Sequence, residues 1–314
     1  MAPFLPGGGF CLRQIVLYGS MEMATLSPPA GSRIWETCPV CATARATPFV
    51  AFTALAFVRC DGCATVYKRF EALQPKPKAL LGPSASPERR FAHRVRKAKS
   101  WLLTALQFGE ATTLLSVGRS SNYVLEAGKR LGLMSTGVDD SVRTVASCRQ
   151  RGHRAEMGTV DKLPFDDGSF ELVTLQHVLE HTPHPKEALG EIRRICADRA
   201  LLVVAVPNLE YWKGLARRWT YRYFRPDALG HQRYVYYTQR SLEQLLAAEG
   251  FEVVSRGKAV YRSRRAEGSA PRRAWEATRF AALACGYWVA RGLRIQRELF
   301  VVAVKAAPST SLPG

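Results

Sequence analysis

The sequence lacks an apolar run long enough to cross a bilayer: its longest run near the C-terminal end, residues 281–290, is about half the length a spanning helix needs. It also lacks a charged leader. The apolar piece at residues 10–18 is interrupted by Arg13 and preceded by Gly7, Gly8 and Gly9, which excludes a secretory signal and points to a cytoplasmic chain with reduced thiols. Acidic residues are scarce, 26 Asp and Glu against 45 Lys and Arg, leaving a formal charge of +19. No Asn-Pro-Pro-aromatic run, an acceptor-base motif of nucleic-acid enzymes, occurs.

The positive charge is concentrated. Residues 88–99 carry about +5, 211–240 about +6 and 256–297 about +9, so the remainder is close to neutral. Basic flanks on a neutral body predict attraction to an anionic partner: a membrane surface at its inner face, a phosphorylated substrate or a nucleic acid. A solvated basic face accounts for the same pattern.

At 314 residues the chain has room for one substantial core and a small accessory module. Of eight cysteines, four fall as Cys38-Pro39-Val40-Cys41 and Cys60-Asp61-Gly62-Cys63, two CxxC pairs 18 residues apart. That spacing suits a closed tetrathiolate site for structural Zn2+. The intervening residues 47–59 suit a hairpin that 65–70 continues. So small a segment has little apolar core, and the metal would supply most of its folding free energy. Cys11, Cys148, Cys196 and Cys285 show no partner spacing.

Beyond a Pro-rich linker at 75–87 the character changes. A basic helix at 86–106 precedes an alternation of strands (112–117, 135–138, 154–157, 170–175, 200–206) with helices (121–131, 141–151), which predicts a doubly wound, Rossmann-like parallel sheet. In such sheets ligands bind at the carboxyl ends of the strands. Here the first turn is Val117-Gly118-Arg119-Ser120-Ser121-Asn122, and Asp139, at the end of the second strand, is placed to hold a ribose diol.

Further along, Leu163-Pro164-Phe165-Asp166-Asp167-Gly168-Ser169-Phe170, then His177-Val178-Leu179-Glu180-His181, a helix ending in Glu191-Ile192-Arg193-Arg194-Ile195, and Val206-Pro207-Asn208 resemble the class I S-adenosylmethionine-dependent methyltransferase family over roughly residues 86–305. The cysteine quartet ahead of it is similar to members carrying an N-terminal zinc module. The resemblance implies a seven-stranded sheet, S-adenosylmethionine as cofactor and a cofactor site at Gly118, Ser120, Asn122, Asp139, Asp140, Thr159, Val160, Asp161 and Gln176. Ser120 and Asn122 stand where the family has the second and third glycines of its loop, and Thr159 where it usually has an acid facing adenine.

Methyl transfer to a hydroxyl needs a positioned base, and a histidine near neutral pKa serves. His177 and His181 follow the fourth strand, spaced to share one face if that stretch is helical. His231 stands in an aromatic and basic insert at 209–237 that suits a lid over the acceptor; a second basic insert at 258–297 suits a helix lying on an anionic membrane or packed on its own sheet. The expected organisation is an extension at 1–32, a zinc-ribbon-like module at 33–74, the linker, a methyltransferase domain at 88–307 and a tail at 308–314. The expected activity is methylation, at oxygen first, of a small or carrier-linked saccharide or lipid acceptor. A catalytically inactive fold that binds an anionic partner and an RNA methyltransferase are the alternatives.

Overall fold

The computed structural model describes residues 32–52, 55–72, 87–210, 233–257 and 298–307. The expected extension, most of the linker, nearly all of the lid with His231, the basic insert and the tail lie outside these residues.

The N-terminal part is a small antiparallel sheet. Strands β1 (Ser32–Ile34), β2 (Ala46–Phe52), β3 (Leu55–Cys60) and β4 (Val66–Ala72) lie in the order β1-β4-β3-β2. The hairpin expected between the CxxC pairs is β2 and β3, paired from Ala46 opposite Cys60 to Phe52 opposite Leu55 with a register shift between Pro48 and Val50.

Helix α1 (Pro87–Ala105) then leads into the large sheet of β5 (Thr113–Val117), β6 (Met134–Asp139), β7 (Arg154–Met157), β8 (Phe170–Gln176), β9 (Cys196–Pro207), β11 (Phe251–Arg256) and β12 (Glu298–Lys305). Its order is β11-β12-β9-β8-β5-β6-β7; β12 runs antiparallel to both neighbours and the rest of the ladder is parallel. This is the doubly wound α/β architecture that the alternation predicts, with the seven strands that the resemblance implies. Strand β9 begins four residues earlier than expected. Its first pairing, Phe170 with Cys196, is followed by a register shift to Leu172 with Leu201, so the polar stretch Ala197-Asp198-Arg199 bulges out, with Arg199 at a positive φ of 58°.

Helices α2 (Ser121–Lys129), α3 (Val142–Gln150), α4 (Pro185–Ile195) and α5 (Gln239–Ala248) complete the layers. Because side chains alternate along a strand, each central strand supplies both faces. Leu114, Leu172, Leu201, Val203 and Val302 meet Val95, Ala98, Trp101 and Leu102 of α1 and Val124 and Ala127 of α2. Leu115, Val173, Leu202, Val204 and Val301 meet Leu189 and Ile192 of α4 and Leu242, Leu245 and Leu246 of α5. Each fully buried leucine contributes about 2 kcal/mol. Helix α4 opens with Pro185 in its first turn, and α5 with a reciprocal box in which the Thr238 side chain accepts from the Ser241 N–H.

The two sheets are joined. Strand β10 (Val235–Tyr236), from the end of the segment expected to form the lid, pairs antiparallel with β4, Val235 opposite Tyr67 and Tyr236 opposite Val66. Cys38, Val40, Cys60, Cys63 and Tyr67 belong to the same buried cluster as Leu179, Tyr237 and Leu242. Among the described residues, no helix is long and apolar enough to cross a membrane.

Candidate functional site

The four cysteines converge. Their sulfurs all lie within 4.8 Å of one another, with Cys38 Sγ 3.6 Å from Cys63 Sγ and Cys41 Sγ 3.4 Å from Cys60 Sγ. A tetrahedral Zn2+ with Zn–S near 2.3 Å requires sulfurs about 3.8 Å apart, so the cluster has the size of such a site. The thiols act on one another: the hydrogen bond between Cys38 and Cys63 lowers the Cys63 thiol and raises that of Cys38, and burial raises that of Cys60.

The two halves of the cluster repeat one another, a signal present in the sequence as Cys-x-x-Cys-Ala-Thr at 38–43 and 60–65 and missed there. In each half the first cysteine accepts a backbone hydrogen bond from the alanine, Ala42 N–H to Cys38 O and Ala64 N–H to Cys60 O. Each first cysteine also donates to the threonine carbonyl, Cys38 N–H to Thr43 O and Cys60 N–H to Thr65 O. The two alanines sit at φ 58° and 59°, a left-handed conformation that glycine adopts more easily.

At the carboxyl end of β5, Gly118 has φ 89°, and a Cβ there would come within 2.8 Å of Val178 Cγ2, so the turn admits only glycine. Its N–H donates to Val138 O at 2.8 Å, which ties the turn to the end of β6. The second and third expected glycine positions have distinct roles. Ser120 is buried, donates to Gln176 O at 3.4 Å and accepts from the Tyr123 hydroxyl at 3.1 Å. Asn122 donates to Ser147 Oγ at 3.1 Å and keeps its buried Oδ1 without a partner. Arg119 is exposed, and its positive charge acts on the Asp139 carboxylate, so the guanidinium stands on the Asp139 side of the turn.

Asp139 is 5% exposed and accepts from the Ser141 N–H at 2.8 Å; burial raises its pKa above the ordinary carboxylate value. Asp140 is exposed. The Gly158 N–H donates to Asp139 O at 3.3 Å and Thr159 bridges to Lys162, which brings the turn holding Thr159, Val160 and Asp161 alongside Asp139. Thr159 and Asp161 are exposed there, while Val160 packs on the core. Gln176 is buried at the end of β8, behind Ser120.

The histidine pair differs from expectation. His177 and His181 share no helix: β8 ends at Gln176, His177 takes a positive φ of 53°, and a 3-10 turn, Leu179–His181, follows. The reason is the buried Glu180, 1% exposed, whose carboxylate lies 3.0 Å from His177 Nδ1 and 3.9 Å from His181 Nε2. From the other side Glu298, at the start of β12, lies 3.2 Å from His177 Nε2 and itself pairs with Lys97 of α1 at 3.0 Å. Flanked by Glu180 and then Glu298, the His177 imidazole is raised to about 9 rather than poised near neutrality. Glu180, Glu298 and Lys97 are site residues that the sequence reading missed. Glu180 stands inside the motif quoted above; Glu298 and Lys97 are distant in sequence and carry no local signal.

The rest of the motif is a staple. Glu191 of α4 accepts from the Leu163 N–H at 2.8 Å, and Arg194 donates to Leu163 O, Phe165 O and Asp167. One helix thereby fixes the loop that leads into β8.

Comparison with known proteins agrees with this assembly. The profile of a family described as a methyltransferase domain matches residues 87–256, more than half of the chain. An uncharacterised 37.1 kDa protein in a transposon of Streptomyces fradiae is 26% identical over 187 residues, 52% of this chain and 51% of that protein. The chain thus spans about half the length of that curated relative. A solved S-adenosylmethionine-dependent methyltransferase from Thermotoga maritima is 17% identical, with 69% of this chain and 94% of that one covered at a TM-score of 0.44. One from Methanosarcina mazei is 15% identical, with 66% and 97% covered at 0.46. With the family's own segment running from α1 through β11, the chain belongs to the class I methyltransferase domain family.

Proposed function

We propose that the chain transfers a methyl group from S-adenosylmethionine to a hydroxyl of a small or carrier-linked acceptor, a saccharide or lipid, and that its four cysteines hold a structural Zn2+. The carrying observation is the convergence of the Gly118 turn, the buried Asp139 carboxylate and the His177–Glu180 pair at the carboxyl ends of three adjacent strands. S-adenosylmethionine, when bound, supplies an electrophilic methyl on a sulfonium. Asp139 would accept the ribose hydroxyls, the Gly118 turn would let the backbone approach, and the unpaired Asn122 Oδ1 is an acceptor in want of a donor at that loop. His177 in its neutral form, its Nδ1–H held by Glu180 and its Nε2 released from Glu298, would take the acceptor proton on Nε2 near the transition state, with Glu180 stabilising the imidazolium that results. Cys38, Cys41, Cys60 and Cys63, with no open coordination position, would hold the metal for folding rather than chemistry.

Calorimetric titration with S-adenosylhomocysteine tests this. The wild type binds; Asp139→Ala weakens binding by about 10–100-fold, the cost of a lost hydrogen bond to a charged group. Gly118→Ala weakens it by about tenfold or more through strain at positive φ and contact with Val178. A wild-type chain that shows no heat at millimolar ligand ends the reading.

A further inference from the structure

Tyr234 occupies an unusual place between the two sheets. Its carbonyl accepts from the Lys68 N–H of β4 at 2.9 Å, and its own N–H donates to Glu180 O at 2.7 Å. Its ring lies 5.4 Å from that of Trp35, beside the first CxxC, and the Lys68 ammonium sits 4.4 Å above it. The neighbouring residues repeat the pattern: Tyr236 packs against Phe57 of β3 at 5.7 Å, and the buried Tyr237 hydroxyl donates to Leu179 O at 3.3 Å. One peptide unit therefore touches β4 on one side and, on the other, the turn whose glutamate holds His177.

We propose that the cysteine module is a positioning device for the acceptor side of the methyl-transfer site: Tyr234 transmits the order of β4 to the turn Leu179–His181 and so sets Glu180 against His177. The physical ground is backbone geometry. The turn has three residues and presents a buried carboxylate, and two of its carbonyls, Leu179 O and Glu180 O, are held by Tyr237 and Tyr234. The cofactor side has no such dependence. Gly118 and Asp139 are fixed by β5, β6 and the Gly158 amide, all within the large sheet. Loss of the metal should then disturb His177 while leaving cofactor affinity in place. The inference rests on the methyltransferase reading above only for its functional meaning; the coupling itself is a property of the chain.

The test uses the full-length, zinc-loaded protein with three readouts: amide exchange at residues 177–181, the NMR titration of the His177 imidazole, and S-adenosylhomocysteine affinity. Tyr234→Pro deletes the N–H that reaches Glu180 while keeping the carbonyl that serves Lys68. It should keep its zinc and its cofactor affinity, speed exchange at 178–181 by about tenfold and move the His177 titration down toward that of an ordinary histidine. Tyr234→Phe, which keeps both backbone groups and the ring, should behave as wild type. Chelating the metal from wild type should reproduce the proline result, and decides the matter if Tyr234→Pro does not fold. Exchange and titration at His177 that ignore both chelation and Tyr234→Pro overturn the proposal. A wild type without cofactor affinity instead overturns the functional reading, with the exchange data still deciding the coupling.

Discussion

The two sheets of this molecule are stabilised in opposite ways. In the large sheet the central strands bury both faces, and β9 alone contributes an unbroken buried run from Ala200 to Pro207. In the small sheet the satellite core consists of Phe57, Val66, Leu209 and Tyr236, of which two come from the methyltransferase part of the chain. One region closes on its own apolar surface. The other shares Val40, Val58 and Tyr67 with the core of the large sheet, borrows a strand and, on the proposal above, is completed by a metal on its four sulfurs. Structural zinc in small modules contributes on the order of 10 kcal/mol of folding free energy, more than so few buried side chains can offer. The largest effect therefore comes from the metal: chelation, or Cys60→Ser, should abolish amide protection across residues 32–72 while β5, β6, β8 and β9 stay protected. Metal analysis should give about one zinc per chain. Uniform loss of protection in both sheets would show that the regions form one cooperative unit and would break the contrast.

The converse experiment perturbs the large sheet. Leu202 is fully buried on β9, facing α4 and α5. Leu202→Ala should cost about 2–5 kcal/mol, from lost transfer energy and the cavity left behind. It should appear as a lower denaturant midpoint for the far-UV signal with zinc stoichiometry unchanged. A loss of metal binding in this variant would mean that the small sheet folds only on a complete large one.

Much of this architecture was legible beforehand, and its gaps have physical causes. Periodicity located α1 and the strands from β5 to β9 within a few residues, because strands buried on both faces read as apolar runs. It misplaced the start of β9, where the bulge at Arg199 puts polar residues inside a paired strand. The cysteine cluster was legible because a closed four-thiol site imposes a local spacing on its cysteines. The state of His177 was not, since it depends on Glu298, 121 residues away, and on Glu180 being drawn inward. The helical spacing drawn for His177 and His181 does not apply, because His177 takes a positive φ and only the short 3-10 turn Leu179–His181, with Glu180 buried, follows it. Nor could periodicity show that Val235 and Tyr236 leave one region to complete the sheet of the other, because pairing partners of a two-residue strand leave no pattern in sequence.

His177 stands where the two regions meet, and its protonation offers a graded test. Its pKa is raised to about 9, first by the hydrogen bond it donates to Glu180 and then by the one it donates to Glu298. A histidine raised in the folded state adds stability that is fully present below its unfolded value of about 6.5. That increment disappears as pH climbs through about 9. The difference in thermal midpoint between wild type and His177→Gln should accordingly be constant at pH 5–6 and shrink to nothing above pH 10. The ring is 39% exposed, so solvent screening keeps the increment small. For the reaction the sign reverses. The neutral ring is the proton acceptor, so the rate should rise with pH up to about 9 and then level. A rate that is flat across this range would remove His177 from proton transfer and leave it a purely structural link.

The smallest effect concerns the internal repeat of the cysteine module, where Ala42 and Ala64 occupy corresponding places at φ 58° and 59°. An L-residue in this conformation costs about 1–2 kcal/mol relative to glycine. Substitution by glycine also loosens the unfolded chain by about 0.4–1 kcal/mol, which offsets part of the relief. The net gain for Ala64→Gly should be about 0.5 kcal/mol, read as a slightly higher chelator concentration for half-release of the metal. Ala42→Gly should act equally, because both alanines donate to the first cysteine carbonyl of their own knuckle in the same way. Gains confined to the small sheet, with the melting of the large sheet unmoved, would sharpen the division between a region held by metal and one held by its core. A gain at one alanine and a loss at the other would show that the two knuckles, alike in backbone, carry unequal strain from the strand that docks beside the second of them.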